Sequence, residues 1–179
     1  MQVTIREVTP EDLPIMLAWA HIKEIWEWLP TSRKGEVLTW ENHFNWWQLR
    51  VNRLDWMIMV ETDEYGPRPV GIVIVNLKSL ELGIYIGEVM LWGQGVARRA
   101  LSQVIMKLTH QGHTKFCAMV HPKNERSQAL FTGLGFIKVG KGRRDQDLYE
   151  LDLNTHGGPE VTVSAEQTRD KLCHQPSVG

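Results

Sequence analysis

The sequence predicts an α/β domain: a mixed sheet with helices on both faces. Three observations carry this. Stretches of alternating apolar and polar residues are interleaved with stretches of helical spacing from Val3 to Leu153. Turn-forming residues such as Asp63-Glu64-Tyr65-Gly66-Pro67 fall between them. The chain has 179 residues, enough for one substantial core.

In order, Val3 and Ile5 mark a first strand. Thr9-Pro10-Glu11-Asp12 reads as a helix start, with Thr9 as N-cap, Pro10 at N1 and an acidic residue three places after the cap. That helix runs through Leu13, Met16, Leu17 and Ala20, breaks and resumes around His21–Trp28, and ends before Pro30. Thr31-Ser32-Arg33-Lys34-Gly35 is a loop. A second helix starts at Thr39, with Trp40, Phe44, Trp47 and Val51 on one stripe and His43, Trp46 and Arg50 beside it. Trp56–Val60 and Val70–Leu77 are strands. Then Leu80, Leu82, Ile84 and Ile86 alternate with Glu81, Gly83 and Tyr85, a strand that turns through Trp92-Gly93-Gln94-Gly95. Helical spacing follows at Ala97, Ala100, Leu101, Val104, Ile105 and Leu108. Lys115–Val120 is a short buried strand and Glu125–Leu134 a short helix, with Gly135 at its C-terminal cap. Phe136–Val139 and Asp147–Leu153 form a hairpin around Gly140–Arg144. The domain is expected to span residues 1–154. Residues 155–179 turn polar and lose periodicity, as a disordered or loosely attached tail would.

Composition excludes several classes. The chain is 42% hydrophobic and 23% charged with a formal net charge of −1, and it has no long basic run. Nucleic acid and anionic membrane are therefore disfavoured as partners. No apolar stretch approaches the length of a membrane span, and MQVTIREV lacks a signal-peptide pattern. Cys117 and Cys173 are the only cysteines, which points to reduced thiols and a cytoplasmic protein. No CxxC pair or HExxH occurs and the seven His are scattered, so no metal is expected. Six of the eight Trp precede residue 50, which sets the N-terminal third apart.

The stretch Glu81–Ala100 organises the rest. A strand that ends in small residues and feeds a helix leaves backbone N–H groups pointing outward at the positive end of the helix dipole. That arrangement suits an anion such as a pyrophosphate. The turn lacks the Lys-Ser/Thr of a P-loop and the third Gly of a dinucleotide fingerprint. It resembles instead the acetyl-CoA pyrophosphate loop of the GCN5-related N-acetyltransferases, Q/R-x-x-G-x-G/A. Gly95 and Ala97 match the two small positions, and Trp92 stands where Gln or Arg is commonest. Relatives that acetylate ribosomal protein N-termini or aminosugars also place an EIGIYIG-like strand before a WGKG turn, as ELGIYIG precedes WGQG here. A second stretch, Asn124 to Phe136, is similar to the family's N-x-x-S/A-x-x-L-Y/F-x-x-x-G-F, with Asn124, Ser127, Leu130, Gly135 and Phe136 in register.

The resemblance implies a mostly antiparallel sheet of six or seven strands, splayed between the fourth and fifth, with the cofactor in the gap. It assigns acetyl-CoA to Val89, Met90, Leu91, Trp92, Gly93, Gln94, Gly95, Val96, Ala97 and Asn124. Backbone N–H groups near Val89–Leu91 are the oxyanion donors. Asn124 also reads as a simple helix cap. Phe131 replaces the Tyr that many members have been proposed to use on the departing thiolate. Ser127 is the remaining hydroxyl, and it reads equally as an early-helix residue bonding to backbone. Glu81 is the candidate base, or else an edge carboxylate that faces solvent or pairs with Lys78. Glu88 and His43 stand in reserve. Arg98 and Arg99 are within reach of cofactor phosphates. The implied activity is transfer of an acetyl group to a primary amine by direct attack in a ternary complex. The acceptor is a small amine such as an aminosugar or amino acid derivative, or alternatively a protein N-terminus. A catalytically silent acyl-CoA sensor is the third reading, and a homodimer is compatible with all three. Trp26, Trp28, Trp40, Trp46 and Trp47 are candidates to stack on an acceptor, or to form core.

Overall fold

The computed structural model describes residues 1–29 and 38–154. The expected loop Thr31–Gly35 and the expected tail 155–179, with Cys173, lie outside the described residues. Strand β1 (Gln2–Glu7) is followed by helices α1 (Leu13–Ala20), α2 (Lys23–Trp26) and α3 (Trp40–Gln48). Strands β2 (Arg53–Glu61), β3 (Arg68–Asn76) and β4 (Glu81–Ile86) come next. Helix α4 (Val96–His110), β5 (Lys115–Val120), α5 (Glu125–Gly133), β6 (Ile137–Lys141) and β7 (Asp147–Asp152) complete the order.

The seven strands form one sheet in the order β1-β2-β3-β4-β5-β7-β6. Every pairing is antiparallel except that of β4 with β5. Those two run parallel and meet at a single register pair, Glu81 with Cys117. The Cys117 N–H donates to the Leu80 carbonyl at 3.1 Å. Beyond that point the ladder stops, which is the splay the resemblance implied.

Alternation on β4 divides the interior into two layers. Leu82 and Ile86 join Val96, Ala100, Leu101, Val104 and Leu108 of α4 in the larger one, together with Phe131 and Phe136. Tyr85 turns to the other face, where Met57 and Ile72 pack against Leu13, Met16, Trp19, Ile25 and Trp47. The helical spacing read for α4 is thus the spacing of its buried face.

Two local readings are corrected. Thr9 is the N-cap and Pro10 the first residue, as expected, but the opening turn Pro10–Asp12 is 3₁₀ and the α-helix starts at Leu13. The Asp12 carboxylate still accepts from the Thr9 N–H at 2.8 Å. On α3, Thr39 is the N-cap, its hydroxyl accepting from the Asn42 N–H at 3.2 Å, but the buried pair is His43 and Trp47. Trp40, in the first turn of α3, and Val51, beyond the helix end at Gln48, are both exposed. At the end of α5, Gly135 adopts φ +91°. Its N–H bonds to the Thr132 carbonyl, and the Phe136 N–H bonds to that of Phe131, which closes a Schellman cap. Among the described residues, no helix is long and apolar enough to cross a membrane.

Candidate active site

The loop after β4 is built largely from its own backbone. Leu91 N–H donates to the Glu88 carbonyl, Trp92 N–H to Val89 and Gln94 N–H to Leu91. Gly93 and Gly95 both sit at φ +76°, in the left-handed region that L side chains rarely adopt. Gly95 is the N-cap of α4. The Trp92 indole donates to the Ile86 carbonyl at 2.9 Å, which ties the loop to the end of β4. Arg126 of α5 lies over its ring at 4.4 Å. Trp92 thus fastens this loop through its indole N–H. Gln94 Nε2 reaches the Met90 carbonyl at 2.8 Å, and Arg99 folds back to the Gln94 carbonyl at 2.9 Å.

These bonds leave a run of donors. The N–H groups of Gly93, Gly95, Val96, Ala97 and Arg98 have no acceptor among the described residues. They cluster at the positive end of a 15-residue helix. Nothing approaches the open side of Gly93, and only Arg99 comes near that of Gly95. The donor set therefore fits a polyanionic group such as the pyrophosphate of coenzyme A. The oxyanion expectation is narrowed, because the Leu91 N–H is already committed to Glu88. Val89 and Met90 keep free N–H groups among the described residues.

A cleft opens where β4 and β5 part. Its walls include Trp28, Leu29, Ile74, Gly83, Ile84, Tyr85, Met119, His121, Asn124, Ser127, Phe131 and Gln146. The sheet divides it. On the α4–α5 side, Asn124 caps α5 by accepting from the Ser127 N–H at 3.1 Å, and its amide nitrogen is free among the described residues. Ser127 is half-buried, with its hydroxyl unengaged there. Phe131 is buried edge-on against Phe136, with ring centroids 5.1 Å apart, and donates no proton. On the other side, Trp28 meets His121 at 5.6 Å between centroids, and Tyr85 meets Trp19 edge-on at 6.4 Å. His121 Nδ1 accepts from the Lys123 N–H at 3.1 Å, so a neutral ring carries its proton on Nε2.

None of the expected bases lines the cleft. Glu81 accepts from Arg143 Nη2 on both carboxylate oxygens, each at 2.7 Å. Arg143, not Lys78, is its partner, and this ion pair counts against Glu81 as a free base. Glu88 accepts from the Trp19 indole at 3.3 Å. His43 is buried and stacked on Trp46 at 5.3 Å. Burial first, then Arg53 and His21, push its imidazole below the ordinary value. Of the other aromatics, Trp47 is core and Trp46 lies under Arg53. Cys117 donates to the Ser79 carbonyl, and burial, Glu81 and Glu150 raise its thiol to about 11. Among the described residues, no group of three or more His, Cys, Asp or Glu is placed to hold a metal ion.

Sequence reading missed Tyr85, His121, Gln146 and Arg143. The first shares a strand face with Glu81, which was a usable signal. The others come from segments far apart in sequence, and no local pattern marks them. Gly87 was missed as well, for a side chain there would overlap the Trp19 ring.

The profile of the acetyltransferase (GNAT) domain matches residues 2–137. An uncharacterized protein of Methanocaldococcus jannaschii is 37% identical over 155 residues, or 85% of this chain, which spans only 31% of that protein. The crystal structure of a domain from the same organism superposes with a TM-score of 0.79 at 37% identity, over 85% of this chain and 99% of that one. The aminoglycoside acetyltransferase AAC(6')-Ib in complex with coenzyme A and kanamycin shares the fold, with a TM-score of 0.69 at 16% identity, over 84% and 95%. The chain belongs to the GNAT acetyltransferase family.

Proposed function

We propose that this chain is an acetyl-CoA-dependent N-acetyltransferase that transfers an acetyl group to the primary amine of a small molecule. The observation that carries the reading is the continuity of two features. Unpaired N–H groups of Gly93, Gly95, Val96, Ala97 and Arg98 lie in the loop after β4 and the first turn of α4, and the seam beside that strand is open and walled by Asn124 and Ser127. Gly93, Gly95, Val96, Ala97 and Arg98 would hold the pyrophosphate, and the Asn124 amide would meet the pantetheine arm. Val89 and Met90 N–H groups are the remaining oxyanion donors.

Acetyl-CoA supplies an activated thioester, so the protein's task is mainly to align an amine with it. A Cys117 thiol raised to about 11 and bonded to backbone is a poor nucleophile, which supports direct attack without an acyl-enzyme. Ser127 is the donor proposed for the departing thiolate, with water able to replace it. With Glu81 held by Arg143, proton removal from the amine is assigned to water in the cleft. A small acceptor such as an aminosugar or amino acid derivative is preferred, because Trp28, Tyr85 and His121 offer a compact, ring-bearing body a surface to stack on.

Phe131 favours a second reading, a silent acyl-CoA sensor, because no Tyr hydroxyl reaches the cleft from that position. Thiol release from acetyl-CoA on a panel of amines, with CoA binding followed by calorimetry, separates the two. Turnover supports the enzyme; tight CoA binding with no thiol release on any amine supports the sensor.

A further inference from the structure

The acceptor side of the cleft has a definite chemical character. Its described walls include Trp28, Tyr85, Met119, His121 and Gln146, and among the described residues no Asp or Glu lines the cleft. The nearest carboxylate on that face of β4 is Glu81, two residues before Gly83, which does line the cleft. Both oxygens of Glu81 are taken by Arg143. Arg143 belongs to the turn between β6 and β7, whose Gln146 amide also donates to the Met119 carbonyl of β5 at 3.3 Å. One turn thus bridges the two diverging strands, tied to β4 by charge and to β5 by an amide. Further along the same face, Asp55 is buried between Arg53, at 2.8 Å, and Arg50, at 3.6 Å. It offers no free negative charge either.

A polycationic amine leaves its extra ammonium groups in the cleft when one amine reaches the thioester. Desolvating an ammonium without a carboxylate partner is strongly unfavourable. A flat or ring-bearing neutral body meets no such cost between Trp28, Tyr85 and His121, where stacking is available. From these placements, and resting on the acetyltransferase reading above, we infer that the cleft selects monoamines with an uncharged, ring-bearing body. Arg143 enforces the choice by neutralising Glu81. Aminoglycosides and polyamines are rejected.

The test compares a neutral-bodied monoamine, glucosamine or phenethylamine, with kanamycin and spermine. Thiol release gives kcat/KM, and calorimetry on the CoA-loaded protein gives affinity. The expected preference for the monoamine is on the order of tenfold or more. Arg143→Gln frees Glu81 and should raise kcat/KM for spermine about two- to fivefold, the range of an exposed ion pair. The double variant Arg143→Gln with Glu81→Gln should lose that gain, which a merely loosened turn would not. Preference for kanamycin or spermine overturns the inference, as does a spermine gain that persists in the double variant. If no amine releases thiol, the acetyltransferase reading fails by itself. Calorimetry then still decides: monoamine binding upholds the selectivity, and polyamine binding or no amine binding overturns it.

Discussion

The two sides of the cleft are made differently. The proposed cofactor side is backbone, with consecutive N–H groups exposed by two left-handed glycines and the first turn of α4. The acceptor side is side chain, with Trp28, Tyr85, His121 and Gln146 contributed by the end of α2, by β4, by the end of β5 and by the β6–β7 turn. A backbone site needs neighbours in sequence, because consecutive amides must point one way. A side-chain site needs only neighbours in space. The first kind leaves a signature in the amino-acid order, and the second leaves almost none.

The largest expected effect breaks the cofactor side alone. Gly95→Glu places a carboxylate among the free N–H groups and forces a residue with a Cβ to φ +76°. We expect CoA binding by calorimetry to fall beyond detection while circular dichroism stays native. The backbone strain by itself is about 1–2 kcal/mol, so Gly95→Ala serves as the control for it. Unchanged CoA affinity in folded Gly95→Glu would take the loop out of the account.

Next in size is a change where the two sides meet. Gly87 follows β4 and lies against Trp19, whose indole holds Glu88 and whose ring meets Tyr85. Gly87→Val must push the ring away, and overpacking of this kind costs about 1–3 kcal/mol. Thermal unfolding should show the loss. A variant as stable as the parent would mean that Trp19 yields freely and does not fix the wall.

These cases mark what the sequence made legible. Strand alternation around Leu82 and Tyr85 located β4 and divided its faces correctly. The N-cap roles of Thr39 and Asn124 were readable because capping is local chemistry. The α3 stripe was misread because periodicity cannot say where a helix ends. Glu81 was given a base's role from its strand position, and its partner Arg143 lies 62 residues away. No spacing rule reaches that far. Glycine at 95 was readable from a motif, whereas Gly87 became informative only when the neighbouring ring was seen.

A smaller effect sharpens the division on the cofactor side. Ser127→Ala should lower kcat modestly, well short of the roughly hundredfold typical of a lost general acid, because water can protonate the thiolate. CoA affinity should be unchanged, since Asn124 still caps α5 with Ser127's backbone N–H. A loss of two orders of magnitude would promote Ser127 to an essential donor.

The smallest effect asks whether the acceptor side can loosen while the cofactor side holds. Asp12 anchors the entry to α1, the helix that carries Trp19. Its carboxylate accepts from Arg6 at 2.7 Å on each oxygen and from the Thr9 N–H. Burial alone would push this carboxyl up, yet the Arg6 and Thr9 bonds outweigh it and hold it below the ordinary 3.8. A depressed folded-state value means the contribution is complete above the unfolded pKa and is lost as pH falls through the folded one. With Arg6 partly exposed to solvent, that contribution is below about 1 kcal/mol. Stability should therefore fall slightly faster with acidification below about pH 4 in the parent than in Asp12→Asn, which has nothing there to titrate. Trp fluorescence should report the change, because Trp19 rides on α1, while the α4 N-terminus packs on the opposite face of the sheet. Identical acid limbs in the two proteins would show that the Arg6–Asp12 pair does not set the position of α1.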